Sequence, residues 1–332
     1  MKKNRRKFIK NSLNLLPLTF FPLESFSYLK RKNKLKIALQ VYSFASQIVQ
    51  RKFDILDFPD LLRNTYNISG AEYWSIGFLG KENENNYLLD LKKKSDDLGV
   101  DNLIILVDNI DLLTMENGPS LASSNKNDRD NAINFHKKWI DIAKKIDCHS
   151  IRINLRSEED ADINKILDNS SESILKLIEY SKNDNVSIVV ENHGGITGDA
   201  DWLVSLMKNI NSQYIGTLPD FGDYNFCIKR GSLDFGNLTN NCENQYDKYE
   251  GVKKLMPYAK GVSAKSHEFD NSGEELYTDF SKMMKIIKNS SYEGYITVEY
   301  EGAMMNMFGG KGNYLNPDEG VKATQNLIKK HI

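Results

Sequence analysis

The chain has 332 residues, 40% of them apolar and 27% charged, the composition of an ordinary globular domain long enough to build one large α/β core. Past the N-terminus no apolar run approaches the ~18 residues that a membrane span needs. A formal net charge of −1 argues against nucleic acid as a partner, and three scattered cysteines, Cys148, Cys227 and Cys242, suggest neither a disulfide framework nor a zinc-binding spacing.

The first residues stand apart from the rest. Asn4-Arg5-Arg6-Lys7-Phe8-Ile9-Lys10 precedes a mostly apolar stretch from Leu13 to Phe26 that is too short and too interrupted by proline to span a bilayer. That is the layout of an export leader, and the paired arginines followed by Phe, Ile and Lys resemble the twin-arginine signal. Small residues at Ser25 and Ser27 place processing near residue 27, and no cysteine follows to take a lipid anchor. Removing residues 1–27 takes away six basic residues and one acid, leaving 38 basic against 44 acidic residues, a net charge of −6. The expected product is a periplasmic protein with no membrane anchor.

Beyond the leader, short β-branched or aromatic runs alternate with longer amphipathic ones, the trace of repeated βα units on a parallel sheet. Strands are expected at Lys36–Tyr42, Gly70–Ser75, Asn102–Val107, Ser150–Leu155, Val186–Glu191, Tyr214–Leu218, Gly261–Ala264 and Gly294–Tyr300. Helices fall between them, at about Ile55–Tyr66, Tyr87–Leu98, Asp130–Ile146, Ala161–Lys182, Ala200–Asn209, Tyr246–Ala259, Leu276–Asn289 and Pro317–His331. In the third, Ile133, His136, Ile140, Ala143 and Ile146 recur at three- and four-residue steps, and lysines fill the opposite face. Eight units favour closure, and no Gly-x-Gly-x-x-Gly follows an early strand. The expected fold is a single (β/α)8 TIM barrel of class α/β over residues 28–332. One long Asn-rich connection, Asp223 to Gln245, has the length of a lid or substrate loop.

Barrel enzymes carry their chemistry at the C-terminal ends of the strands. Strand two carries Glu72, strand three runs into Asp108, strand four offers Arg152 and Asn154, and strand five ends Glu191-Asn192-His193-Gly194-Gly195. Strand six leads to Pro219-Asp220-Phe221-Gly222, strand seven carries Ser263 and Lys265, and strand eight carries Glu299 and Glu301. Alternation puts Arg152 with Asn154, and Ser263 with Lys265, on one side of their strands. Acids converging from strands five, six and eight repel one another unless a cation sits among them, and an oxygen-rich set suits Mn²⁺, Mg²⁺ or Zn²⁺. His193 and His267 join Glu72, Asp108, Arg152 and Asn154 as expected substrate contacts. Trp74 and Phe78 offer faces for a sugar, though aromatic residues in barrel strands more often belong to the core, while His136 reads as a core residue and His149 as a brace at the far end of the barrel.

Three segments, Glu191-Asn192-His193-Gly194-Gly195, Gly216-Thr217-Leu218-Pro219-Asp220-Phe221-Gly222 and Ile296-Thr297-Val298-Glu299-Tyr300-Glu301-Gly302, resemble the xylose-isomerase-like sugar isomerase and epimerase superfamily. His136 to Trp139 and Cys148 to Asn154 resemble an exported branch of it. The resemblance implies metal-assisted enolisation, with Glu191, Asp220 and Glu299 at ligand positions and with Glu191, Glu299 and Lys265 as the catalytic set. Many relatives place a metal-binding His on strand seven, where this chain has Ser263, and a His or Asn where it has Asp223.

The expected activity is proton abstraction beside a carbonyl of a sugar or keto-sugar, through an enediolate. The same first step also serves a lyase or hydratase acting on 3-keto sugars or glycosides. A non-catalytic sugar-binding barrel is a further alternative, and a nuclease fits the acidic balance poorly. A homo-oligomer is compatible with all of these readings.

Overall fold

The computed structural model describes residues 35–332 apart from 113, 115, 159–160 and 231–240, so the leader assignment lies outside the described residues. The eight expected strands all form: β1 Lys36–Gln40, β2 Gly70–Trp74, β3 Asp101–Leu106, β4 Ser150–Ile153, β5 Ser187–Glu191, β6 Ile215–Leu218, β7 Val262–Ser266 and β8 Tyr295–Tyr300. Strands such as Ser187-Ile188-Val189-Val190-Glu191 are buried along their whole length, because one face looks into the barrel and the other is covered by helices.

The strands pair in parallel in the order β6-β5-β4-β3-β2-β1-β8-β7. The remaining seam, β6 to β7, is closed by parallel pairing of Thr217 with Ala259 and of Asp220 with Ser263. Ser263 N–H donates to Pro219 O at 2.9 Å, and Phe221 N–H donates to Ser263 O at 3.2 Å. The fold is therefore the α/β barrel that the alternation implied. Its closing seam runs directly past Asp220.

Local chemistry places the helices outside. Asp162 and Asp199 accept hydrogen bonds from the first backbone N–H groups of Ile163–Ser181 and Ala200–Ile210. Asn316 and Glu319 form a reciprocal cap on Pro317–His331, with Pro317 at its start. Two expectations change. The first helical stretch, Ile55–Tyr66, is a 3-10 turn, one α turn at Phe58–Asp60 and a widened π turn ending at the left-handed Asn67. The long connection after β6 also carries structure, an antiparallel hairpin of Cys227–Arg230 with Cys242–Gln245. No helix among the described residues is long and apolar enough to cross a membrane.

The hairpin corrects the reading of the cysteines. Within it Cys227 and Cys242 come to a Cα–Cα distance of 5.7 Å and are joined in a disulfide, leaving Cys148 free and buried. The ladder sets Cys227 opposite Gln245 and Cys242 opposite Arg230, so the bond depends on the irregular path of the hairpin, which sequence spacing could not show. Phe78 also changes role. It is fully buried, edge-on to Tyr73 and Trp139, so it belongs to the core rather than to a sugar face.

Inside the barrel, Glu72 on β2 is completely buried. It accepts hydrogen bonds from Gln40 Nε2 at 3.2 Å and Thr297 Oγ1 at 2.7 Å. Burial pushes its carboxyl up to about 7, against those two bonds and with help from Glu299 and Glu191.

Two measurements test these features. Protein purified without reductant and then denatured should titrate one thiol, and three after reduction; three thiols without reduction would reject the disulfide. Opening a loop of this size, with the cysteines 15 positions apart, should cost about 3 kcal/mol. For Glu72, the folded chain keeps between about pH 4.5 and 7 a proton that the unfolded chain has released, so its contribution to stability falls as pH rises through that window. Glu72→Gln should therefore gain on the wild type from pH 5 to pH 8, by up to ~3 kcal/mol. A difference that is flat with pH would show that Glu72 is ionised at neutral pH.

Candidate active site

The strand ends meet at a cavity of about 350 Å³ that opens at the C-terminal mouth of the barrel. Glu191 ends β5, Asp220 follows β6 and Glu299 lies on β8, and each offers a carboxylate oxygen within 4.8 Å of the other two. All three are buried. Lys265, on β7, extends its ammonium among them, 3.2 Å from Asp220 Oδ2 and 3.4 Å from Glu299 Oε1. It also donates to Glu301 Oε1 at 3.0 Å. Burial opposes the charge on Lys265, but Asp220, Glu299, Glu301 and Glu191 together hold it well above the ordinary lysine range.

Arg152 is the second cation. Its Nη1 donates to Asp108 Oδ1 at 2.7 Å, and its Nε lies 2.9 Å from Glu191 Oε2 without hydrogen-bond direction. Asp108 is held further by Asn154 Nδ2 at 3.0 Å and Trp74 Nε1 at 2.7 Å. Burial pushes Asp108 upward, yet Arg152 and His193 overcome it, and the carboxyl stays below its usual range. Glu191 behaves in the opposite way. Burial raises it to about 7, with Glu299 adding to the rise and Arg152 and Lys265 opposing it. Asp220 is raised as well, by burial against the pull of Lys265 and with the repulsion of Glu299 and Glu191.

The shell around the acids is built from the loops after β5 and β6. Asn192 and Asp220 are tied reciprocally: Asn192 Nδ2 donates to Asp220 O at 3.1 Å, and Asp220 N–H donates to Asn192 Oδ1 at 2.9 Å. Asn225 Nδ2 donates to Asn192 O at 2.9 Å, and Asn225 O accepts from Gly194 N–H at 2.9 Å. Gly194 has a φ of 71°, in the region that glycine enters without strain. Gly222 is required by crowding instead, since a Cβ there would stand 2.7 Å from Asn225 Oδ1 and 3.0 Å from Lys265 Cδ.

These acids can hold a divalent cation. Glu191 Oε2 and Asp220 Oδ2 are buried and accept no hydrogen bond among the described residues. Five carboxylates, Asp108, Glu191, Asp220, Glu299 and Glu301, contact only two permanent cations, Arg152 and Lys265. Such a surplus of buried negative charge calls for protons or a dication, and an all-oxygen set suits a hard one. Ser263 donates its hydroxyl to Glu299 Oε2 and offers a cation only a weak, neutral oxygen.

The structure separates the expected residues. Glu191, Glu299, Asp108, Arg152, Asn154 and His193 line the cavity; Asp220 and Lys265 are not among its lining residues and are buried beside them, Lys265 lying 3.4 Å from Glu299 and 3.2 Å from Asp220. Glu72 lies lower in the barrel, enclosed by Gln40 and Thr297, and does not line the cavity. His267 Nε2 faces Glu301 Oε2 at 3.1 Å, behind the cavity wall. His136 and His149 are remote, as expected: burial lowers both to about 4, and their Nδ1 atoms meet Ala132 O and Ser150 Oγ.

Three kinds of lining residue were not among the expected contacts. Tyr42, just past β1, stands edge-on to Trp74 with ring centroids 4.8 Å apart; burial, Glu301 and Asp108 hold its hydroxyl protonated. Glu301 continues the inward alternation of Glu299 and could have been assigned from it. Arg156 lies on a loop, and Met304, Met307 and Phe308 lie on or just after the short helix Gly302–Met307, segments that carry no clear periodic signal.

Comparison with known proteins agrees with this architecture. Residues 69–331 match the family model described as xylose isomerase-like TIM barrel. Among curated proteins no relative matches. Among solved structures, a D-psicose 3-epimerase from Clostridium cellulolyticum H10 superposes with a TM-score of 0.62 at 12% identity, over 89% of this chain and 99% of its own. A 3-keto-D-glucoside 4-epimerase from E. coli gives 0.60 at 11%, over 90% and 100%. The IOLI protein, solved with a zinc atom, gives 0.59 at 11%, over 90% and 99%. Matched across most of its length by that model, and folded as eight βα units with acids gathered at the strand ends, the chain belongs to the xylose isomerase-like TIM barrel family.

Proposed function

We propose that this protein is a sugar isomerase or epimerase that moves a proton on a carbon beside a carbonyl. The observation that carries the reading is the buried convergence of Glu191, Asp220 and Glu299 around Lys265, with Glu191 and Glu299 lining a cavity at the strand ends. The printed names of two structural relatives, both sugar epimerases, support the same substrate class.

Glu191 and Glu299 reach the cavity from different strands and serve as the proton-moving pair. One carboxylate takes the proton, the C–H electron pair becomes a carbon–carbon double bond, and the carbonyl oxygen takes on negative charge. Returning a proton to the opposite face of the same carbon gives an epimer; returning it to the former carbonyl carbon, while the neighbouring hydroxyl proton moves to the old carbonyl oxygen, shifts the carbonyl and gives an isomer. Lys265, held charged by its acids, donates to the developing oxyanion. Arg152, anchored by Asp108, orients Glu191, while Asn154 and His193 face the sugar hydroxyls. A divalent metal ion, Mn²⁺, Mg²⁺ or Zn²⁺, held by Glu191, Asp220 and Glu299 would supply further positive charge for the same oxygens.

The reading extends to location. The Arg5-Arg6 leader and a disulfide between Cys227 and Cys242, of the sort that persists in oxidising compartments, both support export to the periplasm.

Glu191→Gln keeps volume and removes basicity, so it should reduce deuterium uptake from heavy water into the responsive sugar by about 10²–10⁴ with the fold retained. Undiminished exchange in a folded variant would reject the assignment. Replacing Arg5 and Arg6 by Lys should leave the protein in the cytoplasm. An unchanged periplasmic yield would show that the leader is not a twin-arginine signal.

A further inference from the structure

The cavity contains a cation that no carboxylate of the protein answers. Arg152 and Arg156 are the only arginines or lysines among the described residues that line it, and Arg152 is held by Asp108 and Glu191. Arg156 forms no ion pair among the described residues. Its guanidinium makes one hydrogen bond, from Nη2 to Asn109 O at 3.3 Å, and that oxygen already accepts from Gly118 N–H at 2.8 Å, so most of the donor fork is left open. The residue is nonetheless held in place: Arg156 N–H donates to Ser120 Oγ at 3.2 Å, and Ser120 Oγ donates to Arg156 O at 2.6 Å. Arg152, Asn154 and Arg156 follow at two-residue steps along and beyond β4, and their exposure rises from 4% through 8% to half-buried. Arg156 therefore stands on the outer side of Asn154, away from the buried acids. Asn117, which precedes Gly118, lines the same cavity, and its exposed amide makes no hydrogen bond among the described residues.

We infer, on the footing of the proposed function, that the substrate is a sugar acid with a free carbonyl, its carbonyl end against Glu191 and Glu299 and a carboxylate at its other end paired with Arg156. An open-chain uronate has this form: an aldehyde or ketone at one end, beside which a C–H bond can be enolised, and a carboxylate at the other. The buried acids fix its orientation. A carboxylate turned toward Glu191 and Glu299 would add to a surplus of negative charge, whereas at Arg156 it meets the opposite charge. A guanidinium offers parallel N–H groups that match the two oxygens of a carboxylate, and the Asn117 amide adds a neutral donor. Ile110, Leu112 and Phe308 also line the space, and apolar neighbours that keep water away strengthen an ion pair. Part of the desolvation of Arg156 is already met in the fold, since burial pushes its guanidinium below the ordinary arginine range, with Asp108 opposing and Arg152 adding to the effect. The charge count favours a carboxylate over a phosphate: one guanidinium neutralises the first, and would leave a phosphate ester of roughly −1.5 to −2 only partly compensated.

Deuterium uptake from heavy water into D-glucuronate, D-galacturonate, D-mannuronate and D-fructuronate, each measured beside its neutral hexose and the 6-phosphate of that hexose, tests the inference. The best uronate should exceed its neutral partner in kcat/KM by about ten- to a hundredfold, the worth of one charge-assisted pair. Arg156→Gln and Arg156→Met should each bring that ratio toward one, so the test stands if one of the two fails to fold, and Arg156→Lys, which keeps the charge, should retain part of the preference. A ratio near one in the wild type, a ratio that survives in a folded Arg156→Gln or Arg156→Met variant, or a 6-phosphate preferred to its uronate overturns the inference and leaves the proposed function standing. If none of these compounds exchanges hydrogen with solvent, both fall together.

Discussion

The ammonium of Lys265, within 3.4 Å of Asp220, Glu299 and Glu301, is the contact on which the interior of this barrel depends. Without a cation there, the seam between β6 and β7 would bring Asp220 beside Glu299 with nothing to offset their repulsion in a medium that screens poorly. Around it the rest of the polar interior is ordered: Arg152 answers Asp108 and Glu191 on the far side, and Gly222 leaves room for the lysine stem to pass. The same surplus of acid that makes the cluster costly to bury makes it receptive to protons or a dication. Stability and chemistry therefore share one electrostatic cause.

That cause acts differently on neighbouring carboxyls. Asp108, locked between Arg152, Asn154 and Trp74, stays ionised and serves as an anchor. Glu191, buried and facing other acids, is shifted toward neutrality, where a carboxyl can both take and return a proton. Glu72 is shifted as far by burial, yet it sits below the cavity on Gln40 and Thr297. Environment rather than residue type divides anchor, base and interior acid.

The loops after β5 and β6 translate the barrel frame into site geometry. Asn192 and Asp220 bond each other's backbone, Asn225 bonds Asn192, and the disulfide of Cys227 and Cys242 closes the hairpin that begins directly beyond Asn225. The connection whose length alone suggested a lid thus begins as a brace for the acids.

Much of this was legible in the sequence because it rests on periodicity. Eight βα units, their order and the inward alternation of Arg152 with Asn154 or Ser263 with Lys265 follow from local patterns of two and 3.6 residues, and the position of acids at strand ends follows once a barrel is assumed. What local pattern cannot carry is register between distant segments. Whether Glu72 reaches the mouth or stays below it is decided by how far one strand slides against another; whether His267 faces the cavity or Glu301, and whether Cys227 meets Cys242, by how the segments beyond the strands turn. The cavity wall beyond the strands is of the same kind, since Val49, Leu112 and Phe308 line one space although they come from segments far apart in the chain. Sequence by itself determined the barrel and the residue types on its rim, because those are set by local hydrophobic period. Tertiary structure alone decided which of those residues share a space, because the shear of the closing sheet sets the level at which each side chain enters it.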